Sequence, residues 1–390
     1  MKLVMDTANH IAGEAAKAAR AEVVAAYPIT PQTTVVEYIQ KLISNGEFDA
    51  DFICVESEHS AMAATIGASA TGVRTFTATS SHGLLYMHEM LHWAALARLP
   101  IVMVNINRTI GPGWNIWADH QDSMAQRDTG WLQFHCGSNQ EVFDTVIQSY
   151  KIAEAEEIQL PIMVNFDAFI LSHTSMPVSI PDQPVIDKFL PKRKPVWKLD
   201  SSDPLTHGNI IPPDPYLEIR KSMQESQDKA RDLIRTTAEE WKKLTGFWHG
   251  GTVEEYRVED ADLVVLAMGT LGSEAKVAVD RLRKERIKAG VFRIRSFRPF
   301  PIDEIKKLSE ETKLVVVDKA LSFGGEGVLY SEVKSALYGR KNEIFGWIAG
   351  LGGKDVSWQD LVQMVKAVKD GKAKPVNWQK GGKGAITGFI

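Results

Sequence analysis

Cysteine is scarce in this chain: two among 390 residues, Cys54 and Cys136. That excludes a disulfide-stapled secreted scaffold. It also excludes an iron–sulfur cluster held by this chain alone, because the usual cluster takes four thiolates. No C-x-x-C pair occurs. Long apolar runs are missing too. Nothing reaches the roughly 18 residues of a membrane-spanning helix, so no membrane partner is expected. The opening MKLVMDTANHIAGEAAKAARAEVV has no apolar core followed by a small-residue cleavage site. A cytoplasmic, reducing location is the expectation. Charge of one sign is in small excess only: 45 Lys and Arg stand against 49 Asp and Glu, a net charge of -4, which argues against a general nucleic-acid binder. The phosphate-cradling G-x-x-x-x-G-K-[ST] is absent. The nearest approach to G-x-G-x-x-G is F-G-G-E-G at 323–327, where Gly325 and Gly327 match but Tyr330 takes the third position. A flexible turn into a helix explains that segment.

What is present is globular composition, 44% hydrophobic and 24% charged, in a length suited to two or three domains. β-rich runs alternate with helical stretches. Strands are expected at Val23–Tyr27, Phe52–Val55, Thr75–Thr79, Ile101–Ile106, Trp131–Cys136 and Pro161–Asp167. Helices are expected at about 33–44, 57–71, 84–98 and 140–156. A proline-rich stretch, about 175–215, reads as an extended connector, and the charged 216–243 as a solvated helix. A second alternating unit follows, with strands at Leu263–Met268, Val291–Arg295, Leu314–Asp318 and Ile344–Ile348. Such alternation implies an α/β fold of two doubly wound parallel-sheet domains. Ligand sites in these sheets lie beyond the carboxyl ends of the strands.

The strand ends carry the chemistry-bearing segments. Y-P-I-T-P (Tyr27–Pro31) joins a strand to a helix. Thr30 can cap that helix or offer its hydroxyl to an anion at the helix start. E-S-E-H (Glu56–His59) opens an Ala-rich helix. Its carboxylates are ordinary helix-dipole partners, or one of them is buried, raised in pKa and hydrogen-bonded to a cofactor nitrogen. T-A-T-S-S-H-G (Thr77–Gly83) is a run of small hydroxyl residues that permits close approach of a ligand. Asn105–Trp117 joins a strand end bearing Arg108 to a Gly/Pro loop with two tryptophans. Asp119, His120 and Asp122 offer weak metal-ligand spacing, and no metal site is assigned to this chain.

Together these segments resemble the α subunit of the 2-oxoacid:ferredoxin oxidoreductases, the pyruvate:ferredoxin oxidoreductase family. The resemblance rests on Y-P-I-T-P at 27–31, E-S-E-H-S-A at 56–61 and T-F-T-A-T-S-S-H-G-L at 75–84. It continues through N-R at 107–108, D-H-Q-D-S-M-A-Q-R-D-T-G-W at 119–131 and S-F-R-P-F-P at 296–301. It implies a thiamine pyrimidine-binding-type domain over 1–180 and a connector with a charged helix over 181–249. A transketolase C-terminal-like domain over 250–370 and a tail or docking segment over 371–390 complete the expected organisation.

It also implies the cofactor thiamine diphosphate. Glu58 matches the glutamate that hydrogen-bonds the pyrimidine N1′ and favours the imino tautomer. Tyr27, Pro28, Ile29, Ser81 and His82 fall at cofactor-lining positions, although many family members carry glutamine where His82 stands. Thr30 and Arg108 match residues that meet the substrate carboxylate. Trp114 and Trp117, beside Arg108, suit a bulkier branched or aryl 2-oxoacid such as phenylglyoxylate, with pyruvate the simpler candidate. They serve equally as interface or core residues.

The diphosphate-holding G-D-G…N motif is missing, since Asp370–Gly371 lacks the preceding glycine and strand. The Mg2+ and diphosphate half-site is therefore expected on a β subunit, with a γ subunit and an iron–sulfur δ-type subunit as further partners. The implied reaction takes a 2-oxoacid and coenzyme A to acyl-CoA and carbon dioxide, with electrons passing to ferredoxin or a similar acceptor. Two other readings stay open. One is half of a non-redox split transketolase-like enzyme. The other is a non-catalytic scaffold subunit.

Overall fold

The computed structural model describes residues 1–380. Its strands in chain order are β1 Lys2–Asp6, β2 Val23–Ala26, β3 Asp51–Cys54, β4 Thr75–Thr79, β5 Val102–Asn107, β6 Leu132–His135, β7 Ile162–Asp167, β8 Met176–Ile180, β9 Val253–Tyr256, β10 Leu263–Met268, β11 Ala289–Ile294, β12 Ser296–Arg298, β13 Lys313–Asp318, β14 Ile344–Ile348 and β15 Val376–Trp378. The helices are α1 Ala8–Ala18, α2 Thr33–Ser44, α3 Glu58–Ala70, α4 Ser81–Tyr86, α5 His88–Leu96, α6 Gln121–Met124, α7 Asn139–Ala153, α8 Gln183–Phe189, α9 Pro213–Thr245, α10 Gly269–Lys284, α11 Ile302–Ile305, α12 Val328–Ala336 and α13 Trp358–Lys369.

Two large sheets result. The first has the order β12-β6-β7-β5-β4-β2-β3 and the second β15-β14-β13-β10-β11-β9. Every neighbouring pair is parallel except β12–β6 and β9–β11. The two central strands β5 (VMVNIN) and β7 (IMVNFD) are buried at every position. A strand apolar on both faces needs helices above and below it, and the chain supplies them through its crossovers. The expected α/β class of parallel-sheet domains is what forms.

The departures are short elements. β1 and β8 make a separate antiparallel ribbon, Lys2 opposite Ile180 and Asp6 opposite Met176. β8 and α8 lie inside the stretch expected to be a connector. The expected helix 84–98 is two helices meeting at Met87. Part of the expected tail is β15, the edge strand beside β14; residues 381–390 lie outside the described residues. The charged helix α9 does form, over 33 residues. Its buried side chains (Met223, Ser226, Ala230, Ile234, Thr237, Trp241) recur every three or four positions, so one stripe packs inward. Gly246, at φ 84°, ends the helix in a left-handed conformation that suits glycine.

The two sheets are welded by charge and by backbone. Arg293 of β11 and Arg295 just after it both bind Glu141 of α7. The distances are 3.0 Å from Arg293 Nη1 to Oε2 and 2.5 Å from Arg295 Nε to Oε1. All three side chains are about 2% exposed. Burial by itself would raise the Glu141 carboxyl. The two guanidiniums reverse that and hold it well below the usual carboxylate range. Next to this pair β12 leaves the second half and adds antiparallel to β6 of the first sheet.

Replacing Glu141 with Gln leaves buried Arg295 without a carboxylate and Arg293 with Glu254 alone, 2.7 Å from its Nε. Breaking a buried pair from one side costs about 3–5 kcal/mol. The Glu141→Gln protein is therefore expected to unfold at a clearly lower denaturant midpoint, checked by circular dichroism against the unmodified chain.

Candidate active site

Because β2, β3, β4 and β5 are parallel, their carboxyl ends share one rim. Beyond β2 the Tyr27–Pro31 turn is tied down from behind. Asn9 Nδ2 donates to Pro31 O at 2.7 Å. Gln32 Nε2 donates to Ala78 O at 2.8 Å, and Gln32 Oε1 accepts the Ile29 amide at 3.2 Å. Helix α2 starts only at Thr33, with Gln32 in the cap position and no side-chain cap bond. Thr30 is therefore not the helix cap that the sequence suggests: Gln32 is needed to reach across to β4, and the helix begins after it. Thr30 stays exposed on the rim with Tyr27 and Pro28, and Ile29 is half-buried.

Past β3 the chain enters α3 with Ser57 as its cap, accepting the Ser60 amide at 3.2 Å. Glu58 is the first helical residue and is buried. Its carboxylate sits against Gly83 of α4. A Cβ at position 83 would lie 2.6 Å from Glu58 Oε1 and 2.6 Å from Thr79 Oγ1. Only glycine leaves room there. Thr79 Oγ1 is buried without a partner, and among the described residues no donor reaches the Glu58 carboxylate. An acceptor and a hydroxyl left unpaired in one buried corner suit a ligand that brings its own polar edge. A protonated ring nitrogen such as N1′ of an aminopyrimidine fits that donor set.

Arg108 follows β5 and is 4% exposed. Its position depends on Asp122. That carboxylate is fully buried and accepts five N–H groups. Oδ2 takes the Ser81 amide (3.0 Å), the Arg108 amide (3.2 Å) and Asn105 Nδ2 (3.3 Å). Oδ1 takes Asn107 Nδ2 and the Ser123 amide, both at 2.7 Å. Burial pushes the Asp122 carboxyl up to about 6, against the pull of these donors. Ser81, a non-glycine residue at φ 50°, keeps that unusual backbone because Asp122 holds its amide and its own hydroxyl donates to Thr109 O. Burial lowers the Arg108 guanidinium from its ordinary value, opposed by Asp122 and Glu58; an arginine stays charged regardless.

The guanidinium donates through Nη1 to Thr30 O. Nη2 lies 3.2 Å from His82 Nδ1, and the Trp114 ring covers the cation at 4.7 Å. Thr30, His82, Arg108 and Trp114 thus form one cluster, with Glu58 behind it. Trp117 is not brought into it. Its ring packs 4.6 Å from Phe169, and a Cβ at Gly353 would touch it. The loop is pinned there to the second half: Asn115 Nδ2 donates to Gly352 O at 3.0 Å, and the Gly353 amide to Ala118 O at 2.9 Å.

Asp119, His120 and Asp122 do not converge. Asp119 accepts the Gln121 and Gly352 amides, and His120 Nε2 meets Asp167 at 2.9 Å. Among the described residues no group of three or more His, Cys, Asp or Glu could hold a metal ion, and no helix is long and apolar enough to cross a membrane. The N-terminus of α12, after F-G-G-E-G, gives the Leu329 and Tyr330 amides to Asp318 at 2.8 and 2.9 Å. Those amides are therefore already engaged.

A parallel-sheet rim with a buried glutamate, a shielded arginine and a Y-P-I-T-P turn defines a protein of the thiamine-diphosphate-binding class. Residues 14–239 match the family described as pyruvate flavodoxin/ferredoxin oxidoreductase, thiamine diphosphate-binding, and residues 261–361 match pyruvate:ferredoxin oxidoreductase core domain II. The chain is 47% identical over 379 residues to ketoisovalerate oxidoreductase subunit VorA of Pyrococcus horikoshii, covering 95% of this chain and 96% of that one. It is 46% identical over 376 residues to pyruvate synthase subunit PorA of Methanocaldococcus jannaschii, with 95% and 96% covered. This chain belongs to the 2-oxoacid:ferredoxin oxidoreductase family, as an α-type subunit.

Two solved structures share the fold. A 2-oxoglutarate:ferredoxin oxidoreductase from Magnetococcus marinus, with 2-oxoglutarate, coenzyme A and succinyl-CoA bound, superposes with a TM-score of 0.72 at 18% identity. That match covers 93% of this chain and 65% of the other. A split-gene transketolase, in an inactive β4 tetramer, gives a TM-score of 0.54 at 13% identity, covering 92% and 97%.

Asp122→Asn would turn one acceptor into a donor among N–H groups. Leaving buried donors unpaired costs about 1–3 kcal/mol each. A loss of about 3 kcal/mol in unfolding free energy is expected, read from denaturant melts.

Proposed function

We propose that this chain is the α subunit of a CoA-acylating 2-oxoacid:acceptor oxidoreductase, oxidatively decarboxylating a 2-oxoacid to acyl-CoA and carbon dioxide. The observation that carries this reading is the Glu58 carboxylate: buried, without a donor, and given space by Gly83 on the same rim as Arg108. Thiamine diphosphate, when bound, supplies the electron sink for loss of carbon dioxide. Glu58 shares a proton with the pyrimidine N1′. Arg108 holds the substrate carboxylate, and Trp114 and Thr30 shape the space around it. Tyr27, Pro28 and Ile29 line the cofactor side, with Ser81 fixing the backbone beneath it and His82 where that side meets Arg108. Trp117 acts one step back, anchoring the loop that carries Trp114.

The domain limits 1–180 and 250–370 belong to this reading. So do a β subunit with the Mg2+ and diphosphate half-site, a γ subunit, an iron–sulfur δ-type subunit, ferredoxin or a similar acceptor, and a cytoplasmic location. The substrate is pyruvate-like or a bulkier branched or aryl 2-oxoacid. Phenylglyoxylate belongs to this set because Trp114 presents half of its surface.

The test is the purified native complex. A brown iron–sulfur spectrum, bound thiamine diphosphate and CoA-dependent viologen reduction with pyruvate, 2-oxoisovalerate, indolepyruvate or phenylglyoxylate are expected. A colourless complex with thiamine would point to a non-redox split enzyme, and neither cofactor to a scaffold. In the active complex, Glu58→Gln is expected to lower turnover by at least about 100-fold. Its melting temperature should stay near that of the parent, because the change removes proton control rather than packing.

A further inference from the structure

His82 makes two contacts that one neutral imidazole cannot both satisfy. The Gly111 amide donates to Nε2 at 2.9 Å. A nitrogen that accepts carries no proton, so the ring hydrogen sits on Nδ1. Nδ1 lies 3.2 Å from Arg108 Nη2, and a guanidinium nitrogen has only hydrogens to offer. Two donors therefore stand side by side. The other tautomer moves the same conflict to Gly111, and a protonated ring creates it at both ends. Ser81 Oγ directs its own hydrogen to Thr109 O and can accept from Nδ1, but at 3.5 Å that contact lies at the limit of a hydrogen bond and leaves Nδ1–H weakly satisfied. A second observation is independent of the tautomer. Arg108 Nε is buried without a partner on a side chain that is 4% exposed. A buried donor left unpaired is costly, and this one belongs to the guanidinium whose Nη2 meets His82.

We propose that His82 is a substrate-binding residue, the second donor of a clamp in which Nδ1–H of His82 and Nη2–H of Arg108 grip the carboxylate of the 2-oxoacid. This rests on the functional reading above. An anionic oxygen between the two nitrogens accepts from both and converts a donor–donor contact into two charge-assisted bonds. Gly111 fixes which ring nitrogen carries the hydrogen. Thr109 Oγ1 and the Asn115 amide, 2.9 Å apart, hold the loop that presents Gly111. Trp114 covers the guanidinium and packs edge-on against His82, with ring centroids 5.9 Å apart. The clamp selects an anionic carboxylate over the neutral carbonyl of an ester or amide.

The experiment uses the thiamine-loaded complex. It measures KM for the preferred 2-oxoacid and, by calorimetry, the affinity for oxamate, an unreactive 2-oxoacid isostere. His82→Ala is expected to raise KM and weaken oxamate about tenfold, with thiamine content unchanged and a much smaller change in kcat. His82→Gln keeps both duties, its carbonyl oxygen accepting from Gly111 and its NH2 facing the carboxylate. It should stay within about threefold of the parent. If His82→Ala fails to assemble, His82→Phe keeps the ring packing without the nitrogens and takes its place.

Turnover and oxamate binding that ignore the loss of His82 would overturn the clamp and leave the function standing. Oxamate binding that depends on His82, in a complex that turns over no 2-oxoacid, would uphold the clamp and overturn the function. A parent complex that does not bind oxamate overturns the clamp.

Discussion

One buried carboxylate organises the rim. Asp122 is a fully buried carboxylate, and burying a charge is tolerable only if it is well paired. Its pairing comes from the ends of two adjacent strands and from its own neighbour Ser123. Those bonds set the backbone of Ser81 and Arg108 together. His82 and Gly83 follow Ser81 along the chain, and Gly83 in turn makes room for Glu58. The geometry of the candidate site thus runs through one residue that no ligand needs to touch.

The long central elements were legible because their patterns are local. Thr33–Ser44 repeats its apolar residues at helical spacing, and β5 and β7 each open on three consecutive apolar residues. The missed elements depend on distant partners. β9 is V-E-E-Y, β12 is three residues before a proline, and β1 turns Leu3 and Met5 outward. Nothing in a short window distinguishes them from loop. Glu58 and Arg108 were legible because a parallel sheet exposes its strand ends to ligands. Asp122 was not: next to Asp119 and His120 it looks like a metal ligand, and only the fold shows that five N–H groups converge on it. Trp117 sits three residues from Trp114, yet the loop turns between them, and one faces Arg108 while the other faces Phe169.

The second half of the chain serves the first more closely than two similar units require. Glu141 draws Arg293 and Arg295 across the boundary. The turn at Gly352–Gly353 holds the loop that covers Arg108. Lys319, at the end of β13, reaches 3.2 Å from Asp167 at the end of β7. The candidate site is built on the first sheet, but the second sheet sets the position of its cover.

The strand that crosses between the halves also matters to biosynthesis. While the chain is being made, β6 emerges with one side bare, and its partner β12 is translated only after the whole connector, α9, β10 and β11. At about 5–20 residues per second, that leaves an open sheet edge for on the order of ten seconds. Open edges invite pairing with other nascent chains. Splitting this gene at the connector would make that exposure permanent for the first fragment, unless the second were supplied alongside it.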